Sequence, residues 1–239
     1  MATKRTRCQD SDTRPVRREA MLYELRIYDA VAGRLPDISG RFANHTCTLF
    51  RKHGVKYLGF WTDEIGQSNR LTYINVFDSM ADRESRWAKF GGDPDWLEVR
   101  KQTEANGPLV DAVTNRFLRL TPYSPEPKIS TAVQELRIYE AMPGRLPDVH
   151  NRFANHTIGL FEKHGIENIG YWSEDVGVNN VLVYMLGYPS LGDREKSWRS
   201  FQADPEWNKA RAASEVDGPI VRVSRHSIMR PTDYAFTSD

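Results

Sequence analysis

Cysteine is almost missing from this chain. Only Cys8 and Cys47 occur in 239 residues, so no disulfide framework is expected, and such usage suits a reducing, cytoplasmic setting. Long apolar runs are missing as well. None approaches the ~20 residues that a membrane span needs, and the start has no signal-peptide core, so no membrane span is expected. An excess of one charge is missing too. Lys plus Arg is 33, Asp plus Glu is 32, and a net charge of +1 offers no overall field to attract DNA or RNA. No CxxC, HExxH, Walker A or GxGxxG pattern occurs, which leaves a zinc finger, a P-loop NTPase and a standard dinucleotide fold without support. At 39% hydrophobic and 27% charged residues the chain is nonetheless an ordinary globular sequence of one or two domains.

What the sequence does have is a repeat. Glu24-Leu25-Arg26-Ile27-Tyr28 returns as Glu135-Leu136-Arg137-Ile138-Tyr139, an offset of 111. The same offset pairs Gly33-Arg34-Leu35-Pro36-Asp37 with Gly144-Arg145-Leu146-Pro147-Asp148, and Arg41-Phe42-Ala43-Asn44-His45-Thr46 with Arg152-Phe153-Ala154-Asn155-His156-Thr157. It holds to Gly107-Pro108 and Gly218-Pro219. Between 22–110 and 133–221, 42 of 89 positions are identical without a gap. This is a duplicated domain of ordinary size and not a short-period solenoid.

The organisation expected is a basic disordered tail over 1–20, a first domain over 21–121, a Pro-rich linker over 122–131, a second domain over 132–231 and a C-terminal tail over 232–239. The linker is stiffened by Pro122, Pro125 and Pro127. The tail carries six basic residues. Asp10, Asp12 and Glu19 argue against a transit peptide, because such peptides are poor in acids.

Within one copy, 22–29 alternates as a strand, with Leu25 and Ile27 on one side and Glu24, Arg26 and Tyr28 on the other. Residues 35–53 read as one helix ended by His53-Gly54. Residues 55–61 and 70–77 are strands, 80–90 a helix, Asp93-Pro94 the start of a third helix, and 113–120 a last strand. The order is β-α-β-β-α-β, so the fold class expected is α+β: two tandem ferredoxin-like domains. Their two sheets are expected to meet face to face as a barrel within one chain. The face carrying Glu24, Arg26 and Tyr28 is expected to turn inward.

These pieces resemble the NIPSNAP family of the dimeric α/β-barrel superfamily. The resemblance rests on Tyr23-Glu24-Leu25-Arg26-Ile27-Tyr28, Lys52-His53-Gly54, Gly59-Phe60-Trp61-Thr62-Asp63-Glu64-Ile65-Gly66, Asn69, Asp82-Arg83-Glu84, Asp93-Pro94-Asp95-Trp96 and Thr121-Pro122-Tyr123-Ser124-Pro125, most of them repeated in the second copy. It covers about four-fifths of the chain. It implies an α/β barrel within one chain. The wider superfamily includes cofactor-free monooxygenases, isomerases and dehydratases as well as haem enzymes, and the fold by itself transfers no chemistry.

His45 and His156 are the first candidates for chemistry. Ile38, Phe42, His45 and Leu49 run +4, +3, +4, as do Val149, Phe153, His156 and Leu160, which puts each histidine on the sheet-facing side of an ideal helix. Each is then either a hydrogen-bonded core histidine or a general acid/base. Arg26 and Arg137, with Glu24 and Glu135, form either a structural ion-pair network or an anchor for a carboxylate or phosphate, and Tyr28 and Tyr139 join them. Trp61, Tyr73, Trp172 and Tyr184 are core or pocket walls. Asn69 and Asn180 read as turn residues, with Asn69 also a candidate substrate-binding residue. His53 and His164 read as helix caps, His150 as a surface residue, and Cys47 as a small buried hydrophobe. No ligand pair has metal spacing, so neither metal nor cofactor is expected.

The function expected is a cofactor-independent small-molecule enzyme performing proton transfer, isomerisation, dehydration or oxygenation. His45 and His156 are expected to act as acid/base and Arg26 or Arg137 as anchor, in a pocket between helix and sheet. A non-catalytic ligand- or protein-binding module is the alternative. Its partner is a small molecule, and two such chains could pair as a homodimer. Because Asn75 becomes Leu186, Thr72 becomes Val183 and Asp78 becomes Pro189, the first copy is expected to hold the better pocket.

Overall fold

A computed structural model describes residues 21–234. The basic tail expected over 1–20 and the end of the C-terminal tail, 235–239, lie outside the described residues. The first repeat runs β1 (Leu22–Ala30), α1 (Leu35–Arg41), a π-turn (Phe42–Thr46), α2 (Cys47–Lys52), β2 (Lys56–Ile65), β3 (Arg70–Phe77), α3 (Met80–Gly91), α4 (Pro94–Thr103) and β4 (Val110–Leu120). The second repeats it as β5 (Val133–Ala141), α5 (Leu146–Arg152), a π-turn (Phe153–Thr157), α6 (Ile158–Lys163), β6 (Glu167–Val176), β7 (Val181–Tyr188), α7 (Leu191–Ala203), α8 (Pro205–Ser214) and β8 (Val221–Pro231).

All eight strands close into one antiparallel barrel in the order β1-β3-β2-β8-β5-β7-β6-β4. The repeats join at two seams, β2 with β8 and β4 with β6. Closure leaves no sheet edge to manage. The chain also crosses the seams. Thr121 N–H donates to the Tyr171 carbonyl at 2.9 Å, and Thr232 N–H to the Phe60 carbonyl at 3.0 Å. Tyr123 and Tyr234, 111 residues apart, then lay their rings against Tyr171 at 5.8 Å and Phe60 at 5.6 Å. The linker and the described start of the C-terminal tail therefore each strap one repeat to the other.

The expected assignment of strand faces is reversed. The barrel interior is mainly apolar: Leu25, Trp61, Ile74 and Leu118 meet Leu136, Trp172, Val183 and Met185 there, beside one ion pair that crosses a seam, Arg116 with Glu174 at 2.6 Å. Trp61 Nε1 donates to Gln134 Oε1 at 3.0 Å across it. Glu24, Arg26 and Tyr28 instead face outward under the helices, where Arg83 and Trp87 of α3 reach Glu24. Glu24 and Arg26 meet these further partners only on the helix side, and a buried charge left short of partners is costly. Period-two alternation separates two faces but does not say which one the helices cover.

The interior also explains two glycines. Gly59 and Gly170 sit where β2 and β6 slip register against β3 and β7. A Cβ at either position would lie 2.7 or 2.5 Å from the ring of Trp61 or Trp172. Only glycine lets the indole fold back over its own strand.

The expected single helix over 35–53 is interrupted by the π-turn. The Cys47 N–H reaches back to the Phe42 carbonyl, five residues rather than four. The extra residue turns the following side chains by about 100°. Thr46 takes the inward place, and Phe42, Thr46 and Phe50 are buried while His45 is exposed. Thr157 and His156 repeat this. The expectation that both histidines face the sheet is thus corrected: it assumed an unbroken 3.6-residue period.

Candidate functional site

In the second repeat a cleft of about 300 Å³ opens between the outer face of the sheet and the helices. Strands β5, β7 and β8 bring Arg137, Tyr139, Tyr184 and Ser224 to its floor; the α5 end and the following π-turn add Arg152, Phe153 and Thr157. α7 and α8 contribute Trp198, Phe201, Trp207 and Arg211. The helices are set there by their caps. Ser190 and Asp204 accept N–H bonds from the first turns of α7 and α8, and Pro205 fits the first helical position.

Arg137 organises the floor. Its Nε donates to the Tyr184 hydroxyl at 2.8 Å, Nη1 to Glu135 Oε1 at 2.5 Å and Nη2 to the Tyr139 hydroxyl at 3.1 Å. The guanidinium lies 4.5 Å over the Trp198 ring. Burial works against this charge, but Tyr184, Tyr139 and Glu135 outweigh burial and keep the pKa raised. Glu135 is fully buried and shared: Arg194 donates to both its oxygens, at 3.0 and 3.1 Å. Burial raises the Glu135 pKa, and Arg194 and Arg137 pull it below the usual carboxylate value. Burial pushes the Tyr184 phenol well above its ordinary range, so it stays protonated.

A second carboxylate is shared in the same way. Glu215 pairs with Arg152 at 2.9 Å and with Arg211 at 3.3 Å. The cluster therefore sets four guanidiniums against two carboxylates. Arg152 Nε is buried and has no hydrogen-bond partner among the described residues. Arg137 and Arg152 are the buried members, while Arg211 is largely exposed. A cleft with more guanidiniums than carboxylates and an open buried donor is chemically suited to an anion, and its aromatic walls suit a flat or apolar body.

The sequence-selected residues are thus divided. Arg137, Tyr139 and Tyr184 come together at the cleft floor, and Arg26, Tyr28 and Tyr73 do the same in the first repeat. Trp61 and Trp172 do not join them, since they lie inside the barrel. His45 and His156 lie on the outer helix surface; His156 lines a separate shallow groove with Lys163 and Lys209. Asn69 and Asn180 adopt positive φ of 56° and 60°, and their carbonyls accept from Ala30 and Ala141, which is turn work away from the cleft.

His53 and His164 do close a helix end, in a way that spans elements: each bonds Asp93 or Asp204, the cap of the next helix, at 2.5 or 2.7 Å. His150 is not a surface residue but half-buried, bonded to the Tyr123 hydroxyl at 2.6 Å and to Ser173 at 3.3 Å. Cys47 is buried, and burial pushes its thiol up to about 11. Among the described residues no group of three His, Cys, Asp or Glu side chains is placed to hold a metal ion, and no helix is long and apolar enough to cross a membrane.

Arg152, Trp198, Trp207 and Glu215 line the cleft, and Arg194 supports it through Glu135, but the sequence reading does not single them out as binding residues. Each is identical at the offset of 111. Retention of buried charge between the copies was the signal that could have found them.

The NIPSNAP family model matches residues 23–125 and 134–235, one match for each repeat. The chain is 28% identical over 204 residues to a NipSnap homolog of Dictyostelium discoideum, covering 82% of each. Among solved structures, it is similar to a candidate monooxygenase from Lactobacillus acidophilus, at 12% identity with a TM-score of 0.60, covering 92% of this chain and 100% of that one. Another candidate monooxygenase, from Fusobacterium nucleatum, is 9% identical with a TM-score of 0.59, covering 89% and 92%. At these identities the structural likenesses show the fold alone.

Proposed function

From the premise that the chain belongs to the NIPSNAP family, we propose that it is a cofactor-independent enzyme acting on a small anionic molecule held in the cleft of the second repeat. The observation that carries this reading is the unbalanced floor: Glu135 lies between Arg137 and Arg194, and Glu215 between Arg152 and Arg211. Such a floor is completed by a carboxylate, enolate or phenolate oxygen. The wall of Phe153, Phe161, Trp198, Phe201 and Trp207 excludes water from its body, which strengthens the ion pair.

Arg137 is the anchor. Tyr139 and Tyr184, both bonded to Arg137, are the proton-bearing groups next to the bound oxygen. Their part is to donate a hydrogen bond or a proton to negative charge that develops on the bound oxygen. His45 and His156 have no part in this site. A binding module without turnover is favoured by one observation: burial holds Tyr184 protonated, so it offers a donor and no base.

Native mass spectrometry of the freshly purified protein, followed by thermal-shift screening of aromatic and aliphatic carboxylates, tests the reading. A saturable carboxylate ligand lost in Arg137→Met, with product formed from it, supports the enzyme. Saturable binding with no product supports the module. Unchanged binding in Arg137→Met overturns the site.

A further inference from the structure

The cleft lining and the rest of the chain have diverged to very different extents. Of the sixteen residues that line the second-repeat cleft, fourteen are identical at the offset of 111 in the first repeat, against 42 of 89 over the aligned repeats. We infer that the first repeat carries a second anion site, built on Arg26 and Arg41, with a less polar lining and a different ligand preference. The inference rests on the reading of the second-repeat cleft given above.

The bonds are reproduced as well as the residues. Arg26 Nε donates to the Tyr73 hydroxyl at 2.7 Å, Nη1 to Glu24 Oε1 at 2.7 Å and Nη2 to the Tyr28 hydroxyl at 3.1 Å. Its guanidinium stands 4.8 Å over Trp87. Glu24 is shared with Arg83, and Glu104 with Arg41 and Arg100, so again four guanidiniums face two carboxylates. Arg41 Nε is buried without a hydrogen-bond partner among the described residues, as Arg152 Nε is. A network kept only to hold helices on a sheet needs no open buried donor, and one left unpaired costs stability; Arg100 and Arg211 themselves are largely exposed. The network's appearance twice, with the same open donor twice, points to a ligand that completes it twice.

The differences are confined to two lining positions and one buried position beside them. Gln202 of the lining corresponds to Gly91, and Ser224, whose hydroxyl lies 3.5 Å from Arg137 Nη2, corresponds to Val113. The first site thus loses a long amide and a hydroxyl and gains a methyl-bearing wall. Beside Glu24 on the outward face stands Asn75, where the second repeat has Leu186. Both polar atoms of its amide are fully buried and without partners among the described residues. The two lining exchanges favour a bulkier apolar body in the first site and a smaller, more polar one in the second, while the Asn75 amide adds a polar contact beneath the first.

The test is a calorimetric titration of the full chain with 2-naphthoate and with benzoate. Two naphthoate sites per chain are expected, the tighter one in the first repeat. Arg26→Met should remove one site and Arg137→Met the other, each weakening its own site about tenfold or more. One site per chain, lost in Arg137→Met and untouched in Arg26→Met, overturns the second site and leaves the proposed function standing. Binding unaffected by either variant, or no saturable binding of either probe, overturns both.

A second variant does not touch the buried network. Gly91→Gln with Val113→Ser makes all sixteen lining positions the same in both repeats; Gly91 has open space around an added Cβ and Val113 is exposed. The two naphthoate affinities should then converge. Two affinities as far apart as in the parent chain overturn the stated preference.

Discussion

The hydroxyl of Thr157 donates to the backbone carbonyl of Arg152, five residues earlier, at 3.2 Å, and Thr46 does the same to Arg41 at 3.3 Å. This bond ties down a carbonyl that the π-turn frees from the ordinary four-residue ladder. It also fixes which residue of the turn faces the sheet. Thr157 lines the cleft and His156 does not. His156→Ala should therefore leave carboxylate binding unchanged and stability within ~0.5 kcal/mol. Thr157→Ala should cost ~1 kcal/mol from the lost bond. Urea unfolding and ligand titration of the two variants check this; a loss of binding in His156→Ala would restore the histidine to the site.

Arg137→Lys keeps the charge but not the fork that meets Tyr184, Glu135 and Tyr139 at once. Carboxylate affinity is expected to fall by about tenfold or more, while the fold persists. Titration calorimetry alongside circular dichroism separates the two.

Glu135→Gln removes the carboxylate shared by Arg137 and Arg194, leaving two guanidiniums facing each other in a buried place. A loss of about 3 kcal/mol or more is expected, on the scale of broken buried ion pairs. Added carboxylate ligand should recover part of it, because the ligand supplies the missing charge. Thermal unfolding with and without ligand reads both.

Gln134→Leu leaves the Trp61 indole N–H without its partner inside the barrel. Desolvation of an unpaired donor costs ~1–3 kcal/mol. The measurement is equilibrium unfolding, with Trp61→Phe on the Gln134→Leu background expected to recover part of the loss.

Acid should weaken the fold in a defined window. Burial raises the pKa of Glu24 and Glu135, and their arginines outweigh it and leave both lowered. Bonds from Lys52 with His53, and from Lys163 with His164, hold Asp93 and Asp204 well below the usual carboxylate range. A carboxylate with a depressed folded pKa contributes stability that is fully present above its unfolded pKa and lost as pH falls through the folded one. The melting temperature should accordingly hold steady down to about pH 5 and fall steeply below about pH 4. Glu135→Gln should make that fall shallower.

The sequence by itself determined the duplication and the strand and helix order, because each is written in local patterns, and the barrel followed from two copies of one such sheet. Alternation marks β1 and β5, Asp-Pro starts α4 and α8, and an unbroken offset of 111 requires two copies of one fold. It also picked out Arg137, Tyr139 and Tyr184, since buried charge and phenols retained between copies stand out. Only the tertiary structure decided the rest. Whether Glu24 and Arg26 face the barrel interior or the helices depends on which face Arg83 and Trp87 of α3 can reach, about sixty residues away. Trp61 and Tyr73 are cross-strand neighbours in sequence pattern, yet they lie on opposite faces of the barrel wall. A one-residue π-turn, invisible to a helical period, turned His45 and His156 outward and Thr46 and Thr157 inward. Periodicity fixes the elements; long-range packing and the need to pair buried charge fix which way they face.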